Sequence, residues 1–492
     1  MEIRKVLIAN RGEIAVRVIR TCRELGIRTI AVYSDVDRYS LHVKLADEAH
    51  YIGPPEPSKS YLNIDAIIKL AKKLGVDAIH PGYGFLAENP EFAKKCIEEG
   101  IVFIGPPPRI HECLGDKLRA RKLATEIGVP VPPGSFKPLT PDEAVEMAEK
   151  IGYPVIVKPA GGGGGIGMQV ARDEKELKRA VTYASELSRK YFGREEVYIE
   201  KYFTNAKHIE VQIAGDGRGN IIHYFERECS VQRRYQKVIE ETPSPILTEE
   251  RGQRLFNYAI KIARALNYEN LGTVEFVYDL DSDEFYFLEV NTRIQVEHPI
   301  TEEVTGIDLV KDQIYIAWCR ELPHSQNEIS RRGHAIEFRI YGEDPLTYIP
   351  QTGRVEYLEL PGGPGVRIDL GVTVGQQVTQ HYDTLLMKLI VWGRTRAEAI
   401  ARGTRALKEL KILGIKVNTP LHRAVLKTRD FIEGRYTTTL LSRNDVRELV
   451  MNEIELWNNE LKTKTPTYKS KSTQIVITDR WVLTKYLVEL LT

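Results

Sequence analysis

The sequence predicts a protein that combines an α/β region with an α+β region, and three observations support this prediction. Short apolar runs alternate with helical patterns over residues 1–115, which is typical of an open parallel sheet. A glycine-rich run lies between two predicted strands within residues 116–203, which comprise linker helices and, from about residue 129, a small α+β insert. Alternating apolar and polar residues recur over residues 204–445 and predict a larger, mostly antiparallel α+β domain. Residues 446–492 follow as a C-terminal extension.

The composition limits the classes of function that the chain can serve. Its 492 residues, 42% of them hydrophobic, suffice for two or three packed domains. The 69 Lys and Arg residues nearly balance the 68 Asp and Glu residues, so no global positive field attracts nucleic acid or an anionic membrane. The expected partners are therefore small molecules and protein.

The cysteine pattern and the apolar runs of the sequence favour the cytoplasm. The five cysteines are scattered singly, without a CxxC pair or the dense spacing of a secreted disulfide framework. The apolar run near the N-terminus is short, and no later run reaches the roughly 18 apolar residues of a membrane span. We therefore expect a soluble, cytoplasmic protein.

The N-terminal region begins with a strand, a turn and a helix. Residues 6–9 form a short apolar run, and Ile14, Val18 and Cys22 follow at helical spacing. Similar strand and helix patterns recur over residues 29–33, 63–74, 78–80, 90–98 and 101–104. Ligands bind at the carboxyl ends of strands in such sheets, so the loop over residues 80–86 is a candidate site, with an ordinary turn as the equal alternative.

The insert is predicted to contain a helix over residues 141–151 and strands over residues 154–158, 168–171 and 197–200. Between its first two strands lies a run of glycines, which indicates unusual backbone conformations or close approach to a ligand. The run matches GxGxxG, but no helix opens at its end and no Gly-Lys-Ser/Thr follows, so dinucleotide and P-loop sites are disfavoured. We expect a loop that closes over a triphosphate, with Lys158 contacting phosphate oxygens. A flexible surface hairpin is the alternative.

Strands of the larger domain are predicted over residues 208–214, 271–278, 285–290, 335–340 and 385–391. A turn over residues 279–284 joins two of these strands. The resulting hairpin is expected to set Glu275 beside Glu289.

Oxygen-bearing side chains are expected to converge on this hairpin. Glu289, Asn291 and Arg293 share one face because residues two apart in a strand point the same way, whereas Leu288 and Val290 face the opposite layer. One Glu on a strand usually marks a solvated face. Three oxygen donors and an Arg on one face instead favour a site for Mg²⁺, which prefers oxygen ligands.

Three further features have no clear function on their own. The cluster Gln-Arg-Arg-Tyr-Gln-Lys over residues 232–237 is a charged loop that gains interest only beside a site for an anion. Arg339, within an alternating strand, has the same ambiguity. His208 is expected to be a surface or hydrogen-bonded histidine.

Together these residues resemble the biotin carboxylase family, the ATP-grasp component of acetyl-CoA, pyruvate and propionyl-CoA carboxylases. The matching motifs are IANRGEIA (8–15), HPGYGFL (80–86), GDK (115–117), the glycine run, QRRYQK (232–237), EVNTRIQVEHP (289–299) and HYD (381–383). The resemblance implies an ATP-grasp fold with an N-terminal parallel α/β domain (1–115), a lid with the glycine-rich loop (116–203), and a catalytic core with a C-terminal domain (204–445).

The resemblance also implies roles for individual residues. The nucleotide-binding residues are Lys117, Lys158, Gly163, Gly164, Gly165, Gly167, Met168, Glu200, Lys201, His208 and Gln232. The metal ligands are Glu275, Glu289 and Asn291. The bicarbonate pocket comprises Arg293, Gln295 and Val296. The remaining catalytic residues are Lys237, which holds bicarbonate or carboxyphosphate, Glu297, which deprotonates bicarbonate, and Arg339, which stabilises the biotin enolate.

The implied activity is the carboxylation of biotin with ATP, bicarbonate and Mg²⁺, with Mn²⁺ as the alternative metal. Because no carrier motif follows in this sequence, biotin is expected on a separate carrier protein or a biotinylated carboxyl-transferase subunit. The family implies a homodimer, and the preferred complex is pyruvate carboxylase, with acetyl-CoA carboxylase next. Another ATP-grasp carboxylate–amine ligase and a non-catalytic nucleotide-binding subunit remain as alternatives.

Two positions need comment against the family pattern. Tyr235 stands where the family usually has His, and a phenol does not titrate near neutral pH, so its contact with the nucleotide is open. The pair Met387-Lys388 lacks the second Met of a biotinylation motif and lies in an apolar run. We interpret it as an ordinary strand.

Overall fold

The computed structural model describes residues 2–160, 167–192 and 195–464. Residues up to Glu453 form one compact unit, and the described part of a second unit, residues 454–464, is the end of the last helix. The predicted site residues Gly163, Gly164 and Gly165 lie outside the described residues. Within the described part of the chain, no helix has both the length and the apolar character needed to cross a membrane.

The N-terminal region is a parallel sheet covered by helices. Its strands are β1 Lys5–Ile8, β2 Arg28–Ser34, β3 Glu48–Gly53, β4 Ala78–His80 and β5 Val102–Phe103. Its helices are α1 Gly12–Glu24, α2 Leu41–Leu45, α3 Ile64–Leu74 and α4 Pro90–Glu98, with α5 Pro108–Leu114 and α6 Lys117–Glu126 following. The strand order is β3-β2-β1-β4-β5, with parallel pairing throughout, which confirms the predicted parallel sheet.

Successive residues of β1 pack into two different cores. Val6 and Ile8 belong to one apolar cluster, whereas Leu7 and Ala9 belong to another. A strand that is buried on both faces reads as a continuous apolar run, which is why the sequence predicted it. The first cluster also contains Leu271 and thereby connects the N-terminal sheet with the large sheet described below.

The insert is a small antiparallel sheet with two helices. Its elements are α7 Pro141–Ile151, β6 Val155–Pro159, β7 Gln169–Ala171, α8 Glu174–Phe192 and β8 Val197–Lys201. β6 lies between β7 and β8. α7 begins where Thr140 caps the backbone N–H of Glu143 while the Glu143 side chain returns to Thr140, a reciprocal pair that fixes the start of a helix.

The largest sheet dominates the rest of the compact unit. The strands from this part of the chain are β9 Ala206–Asp216, β10 Ile221–Arg233, β11 Gln236–Thr242, β12 Glu269–Asp279, β13 Glu284–Asn291, β14 His334–Tyr341, β15 Gly353–Arg354, β16 Tyr357–Glu359, β17 Val366–Leu370, β18 Gln377–Val378, β19 Leu385–Gly393 and β20 Lys411–Leu413. Eight of them form one sheet in the order β13-β12-β9-β10-β11-β14-β19-β17. Every neighbouring pair in it is antiparallel, which confirms the predicted sheet.

Helices pack on this sheet and follow it. They are α9 Glu249–Ala265, α10 His298–Thr305, α11 Leu309–Cys319, α12 Arg396–Glu409, α13 Thr419–Val425, α14 Arg429–Ile432 and α15 Asn444–Lys464. The segment that joins β13 to α10, residues 292–297, carries the predicted bicarbonate pocket and lies beside the start of α1 and the ends of the central strands.

Candidate active site

A cavity of about 1030 Å³ opens where the insert, the large sheet and the start of α1 meet. Most of the residues nominated from the sequence line it: Lys117, Lys158, Met168, Glu200, Lys201, His208, Gln232, Lys237, Glu275, Glu289, Asn291, Arg293, Gln295, Val296 and Arg339. The loop over residues 80–86 also reaches the wall through Tyr83, Gly84 and Phe85. The fold therefore gathers residues that are far apart in the sequence around one space.

Two predicted site residues that the structure describes, Gly167 and Glu297, do not line the cavity. Gly167 follows the undescribed glycines and has a φ of +79°, in the region that favours glycine. Glu297 is completely buried, directly behind Lys237 and Arg339, which do line the cavity. A substrate can therefore contact Glu297 directly only if the side chain of Lys237 or Arg339 moves.

Cations surround the buried carboxylate of Glu200 at the insert end of the cavity. Lys158 Nζ contacts one oxygen of Glu200, and Arg121 Nη1 donates to the other at 2.5 Å. Burial raises the pKa of Glu200, but Lys158 and Arg121 outweigh it, and the net shift is downward. Glu200 thus holds Lys158 at the end of β6, immediately before the glycine run.

The neighbouring lysines have different partners. Lys201 Nζ donates to the backbone carbonyls of Gly152 and Tyr153 at 3.0 Å each, and the backbone N–H of Lys201 donates to the carbonyl of Pro133 at 2.7 Å. Lys117 Nζ lies 3.2 Å from Oε2 of Glu289. Burial lowers the pKa of Lys117, but nearby carboxylates outweigh burial and raise it, so Lys117 is a fixed positive charge.

The predicted hairpin places Glu275 directly opposite Glu289. The register then shifts by one residue, because Phe276 pairs with Phe287 and leaves Leu288 as an extra residue on β13. This bulge turns Leu288 into the cavity wall, so the prediction that Leu288 faces the opposite layer is wrong. Strict alternation along the strand could not reveal the bulge.

Polar contacts continue from this pair into the segment after β13. Asn291 Nδ2 donates to Glu275 Oε1 at 2.9 Å, and Arg293 Nη2 donates to Asn291 Oδ1 at 2.9 Å. Arg293 also donates to Gln295 Oε1 at 2.8 Å and, through Nε, to Glu88 Oε2 at 2.9 Å. These contacts orient the Arg293 guanidinium along the cavity wall.

Lys237 is the central cation of the site. Its Nζ lies 2.8 Å from Glu275 Oε1 and 2.7 Å from Glu297 Oε1, and it also contacts Glu210 Oε2. Burial lowers the pKa of Lys237, but the three carboxylates outweigh burial and raise it well above its usual value. The ammonium has three donors and three carboxylate partners, so it binds a small anion in the cavity only by exchanging one of these contacts.

Glu297 is held between two cations. Its Oε1 accepts from Lys237 and its Oε2 accepts from Arg339 Nη2 at 2.9 Å. Burial raises the pKa of Glu297, but Lys237, Arg339 and Arg227 together hold it well below the usual value. Glu297 is therefore ionised and able to accept a proton once Lys237 moves onto a substrate anion.

His208 and Gln232 form one chain of hydrogen bonds with Glu275, a predicted metal ligand. Glu275 Oε2 lies 2.8 Å from His208 Nε2, and Gln232 Nε2 lies 2.5 Å from His208 Nδ1. His208 is thus a hydrogen-bonded histidine at the cavity, not an isolated one. Tyr235, in the turn between β10 and β11, also lines the cavity and is 38% exposed.

Several charged residues of the site were missed by sequence reasoning, and three of them hold predicted site residues in place. Glu210 contacts both Lys237 and Arg227, Arg121 holds Glu200, and Glu88 holds Arg293. Glu210 could have been found, since it lies two residues after His208 on a predicted strand. Arg121 and Glu88 gave no such signal, because their partners are 79 and 205 residues away.

The donor set fits a hard divalent cation. Glu275, Glu289 and Asn291 offer oxygen atoms at one end of the β12–β13 pair, and Mg²⁺ prefers such ligands together with phosphate oxygens. Lys117 and Lys237 touch the two carboxylates from either side. The two carboxylates therefore already bind cationic side chains at the position predicted for the metal ion.

Three family models match the chain consecutively. "Biotin carboxylase, N-terminal domain" matches residues 2–110, "Carbamoyl-phosphate synthase L chain, ATP binding domain" matches residues 116–325, and "Biotin carboxylase C-terminal domain" matches residues 337–443. Together these matches include each cavity residue that the sequence nominated.

Known proteins resemble the chain over most of their length. It is 49% identical over 473 residues to a pyruvate carboxylase subunit of Methanothermobacter thermautotrophicus, covering 94% of this chain and 96% of that protein. It is 50% identical over 442 residues to a biotin carboxylase of Halalkalibacterium halodurans, covering 90% and 98%. The biotin carboxylase domain dimer of Hydrogenobacter thermophilus 2-oxoglutarate carboxylase, in complex with MgADP, ADP and bicarbonate, superposes with a TM-score of 0.87 at 46% identity, covering 90% and 98%.

Proposed function

The chain belongs to the biotin carboxylase family and catalyses the ATP-dependent carboxylation of biotin, and we propose that it serves as the biotin carboxylase subunit of a pyruvate carboxylase. Biotin is carried by a separate carrier protein or biotinylated carboxyl-transferase subunit, since the chain covers 96% of a relative that is itself one subunit of a pyruvate carboxylase. The protein functions as a homodimer, by analogy with the related domain dimer. An acetyl-CoA carboxylase is the second candidate complex.

We choose pyruvate carboxylase because the similarity to a pyruvate carboxylase subunit extends beyond the catalytic domains. A match covering 94% of 492 residues spans about 462 of them, so it must run past residue 443, where the last family model ends. It therefore includes part of α15, Asn444–Lys464. The Halalkalibacterium biotin carboxylase matches only 90% of the chain, although its identity is similar.

Residues of the insert and the nearby strands bind the nucleotide. Lys117 and Lys158 contact phosphate oxygens, and each is already held in place by a buried or half-buried carboxylate. Glu200 and the backbone of Lys201 read the adenine, with His208, Gln232 and Met168 nearby.

Glu275, Glu289 and Asn291 would hold Mg²⁺, or Mn²⁺ as the alternative. When bound, the cation neutralises phosphate charge and orients the γ-phosphoryl group. Lys117 and Lys237 contact these carboxylates and can exchange them for substrate anions. Substrate binding thus exchanges ion pairs within the protein for ion pairs with anions.

Bicarbonate binds against Arg293, Gln295 and the backbone of Val296. Lys237 leaves Glu297 to hold the anion, which raises the basicity of Glu297, and Glu297 takes the bicarbonate proton. The resulting oxyanion attacks the γ-phosphorus of ATP and displaces ADP, giving carboxyphosphate. Lys237 stabilises the negative charge of this intermediate.

Carboxyphosphate then breaks down to CO₂ and phosphate within the closed cavity. Phosphate takes the N1′ proton of biotin, and the enolate-like ureido group attacks CO₂ to form carboxybiotin. Arg339 lines the cavity and stabilises the enolate oxygen with its guanidinium. Exclusion of water from the cavity protects both reactive species.

Two assays test this proposal. The first measures ADP release from MgATP by the purified chain, with and without bicarbonate and free biotin, together with transfer of labelled carbon to biotin. Bicarbonate-dependent release stimulated by biotin is expected, and its absence with ATP still bound would favour a carboxylate–amine ligase. The second adds the native carrier and carboxyl-transferase and compares pyruvate with acetyl-CoA. Labelled product from acetyl-CoA alone would reverse the choice of complex.

A further inference from the structure

We propose that Lys388 and Glu13 are positioning residues for the bicarbonate pocket and act through the backbone carbonyl of Val296. The inference rests on the proposed function of residues 293–297. Neither residue was nominated from the sequence, where Lys388 reads as part of an ordinary strand and Glu13 as part of a turn and helix.

Lys388 is a completely buried lysine in β19. Its Nζ donates to the backbone oxygen of Val296 at 2.9 Å, and it lies 3.1 Å from Glu13 Oε2 and 3.7 Å from Asp369 Oδ2. Burying an ammonium is costly unless its partners are good. Because this ammonium donates to a backbone oxygen of the predicted bicarbonate pocket, we infer that it positions the pocket in addition to stabilising the fold.

Lys388 and Arg339 support the same segment from one face of the sheet. They are directly opposite in the β14–β19 register, and residues opposite in an antiparallel pair point to the same face. Lys388 holds the carbonyl of Val296, and Arg339 holds the carboxylate of Glu297. The peptide plane between those two residues is thereby fixed, because a held carbonyl also fixes the following N–H.

Glu13 connects this support to the N-terminal region. It lies in the first turn of α1, and its other oxygen accepts from the hydroxyl group of Tyr83, which lines the cavity. The helix start packs so closely on the large sheet that a Cβ at Gly371 would lie 2.8 Å from the backbone nitrogen of Glu13. The motif over residues 8–15 thus supplies one of the two carboxylates beside Lys388, the other being Asp369.

Loss of the ammonium should change the bicarbonate kinetics selectively. In Lys388→Met the KM for bicarbonate is expected to rise about tenfold and kcat to fall, since a charge-assisted hydrogen bond to the pocket is lost. The KM for MgATP should stay within about twofold, because Lys388 does not touch the insert. ADP release at varied bicarbonate and varied MgATP measures both constants.

Lys207→Met is the matched control. Lys207 is also completely buried, donates to the backbone carbonyl of Gly434 at 3.2 Å and lies 3.4 Å from Glu228. Neither Gly434 nor Glu228 lines the cavity, whereas Val296, the partner of Lys388, does. Both variants lose a buried ammonium, so both should unfold at a lower temperature. Only Lys388→Met should change the bicarbonate KM. An equal rise in the control would overturn the proposal.

The double variant Glu13→Gln with Lys388→Met separates stability from positioning. It replaces a buried ion pair by neutral groups of similar size, so its unfolding temperature should exceed that of Lys388→Met. Its bicarbonate KM should stay raised, because Val296 still lacks its donor. Full recovery of the KM together with the unfolding temperature would assign Lys388 a purely structural role. The double variant also provides the test if Lys388→Met does not fold.

The outcomes distinguish this inference from the function on which it rests. If the wild-type chain shows no bicarbonate-dependent ADP release, the proposed function fails and the positioning role fails with it. If the wild-type chain is active and Lys388→Met keeps a bicarbonate KM within about twofold of it, only the positioning role is overturned.

Discussion

The carboxylate oxygen Oε2 of Glu297 accepts a hydrogen bond from Nη2 of Arg339 at 2.9 Å, across 42 residues of sequence. The pairing joins the proposed base for bicarbonate to the proposed stabiliser of the biotin enolate. Arg339 reaches the cavity, whereas Glu297 is buried behind it. The charge of the proposed base and the charge of the proposed enolate stabiliser are therefore coupled before any substrate binds.

Replacement of Glu297 by Gln should remove the base while keeping the shape of the side chain. The amide cannot accept the bicarbonate proton, so bicarbonate-dependent ADP release is expected to fall at least about 100-fold. MgATP should still bind, since Glu297 lies outside the cavity wall. ADP release and nucleotide binding to the same preparation test this prediction. Biotin-dependent ATP turnover that remains intact in the variant would show that the base is another residue.

Replacement of Glu289 by Gln should weaken the response to the divalent cation. Loss of one anionic oxygen ligand is expected to raise the Mg²⁺ concentration for half-maximal ADP release at least about tenfold. Glu284→Gln is the control, because Glu284 begins the same strand but does not line the cavity. Equal Mg²⁺ requirements in the two variants would exclude Glu289 as a ligand.

The two sheets could be predicted because their strands carry clear periodicity. β1 is a continuous apolar run buried on both faces, and β4 and α4 have the bounds predicted from the sequence. β3, Glu48–Gly53, was missed because most of this edge strand is partly exposed and carries polar residues. Local pattern indicates buried strands more reliably than exposed edges.

The candidate site could be predicted only where local pattern or family motifs mark it. The hairpin pairing of Glu275 with Glu289 follows from strand geometry. The contact between Arg293 and Glu88 depends on how the N-terminal region packs on the large sheet, which no local pattern encodes. Lys388 was hidden for the same reason, since an apolar strand gives no sign that one lysine holds a distant carbonyl.

Replacement of Tyr235 by His should make nucleotide binding depend on pH. Burial raises the pKa of Tyr235 to about 12, so the phenol is neutral throughout the working range. An imidazole titrates near pH 6.5 and gains a positive charge below it, beside the proposed nucleotide site. The KM for MgATP of Tyr235→His should therefore change between about pH 6 and pH 8, whereas that of wild type and Tyr235→Phe should not. A flat profile in all three would place this side chain away from the nucleotide.

Glu241 should make the folded chain less stable in acid. His334 and Arg396 contact its carboxylate, with Arg396 Nε 2.7 Å from Oε2. Burial raises the pKa of Glu241, but hydrogen bonds from His334 and Arg396 outweigh burial and lower it to about 2. The folded pKa lies below the unfolded value of about 4.5, so the stabilisation is present above about pH 4.5 and disappears as the pH falls towards 2.

The contribution of Glu241 is of the order of 3 kcal/mol at neutral pH, since each pKa unit corresponds to about 1.4 kcal/mol. Comparison of wild type with Glu241→Gln isolates it from the other carboxylates. Urea unfolding should show the variant less stable at pH 7, with a gap in the free energy of unfolding that narrows steadily below about pH 4.5. A gap that stays constant between pH 7 and pH 3.5 would mean that the ionised carboxylate of Glu241 contributes no more to folding than a neutral amide.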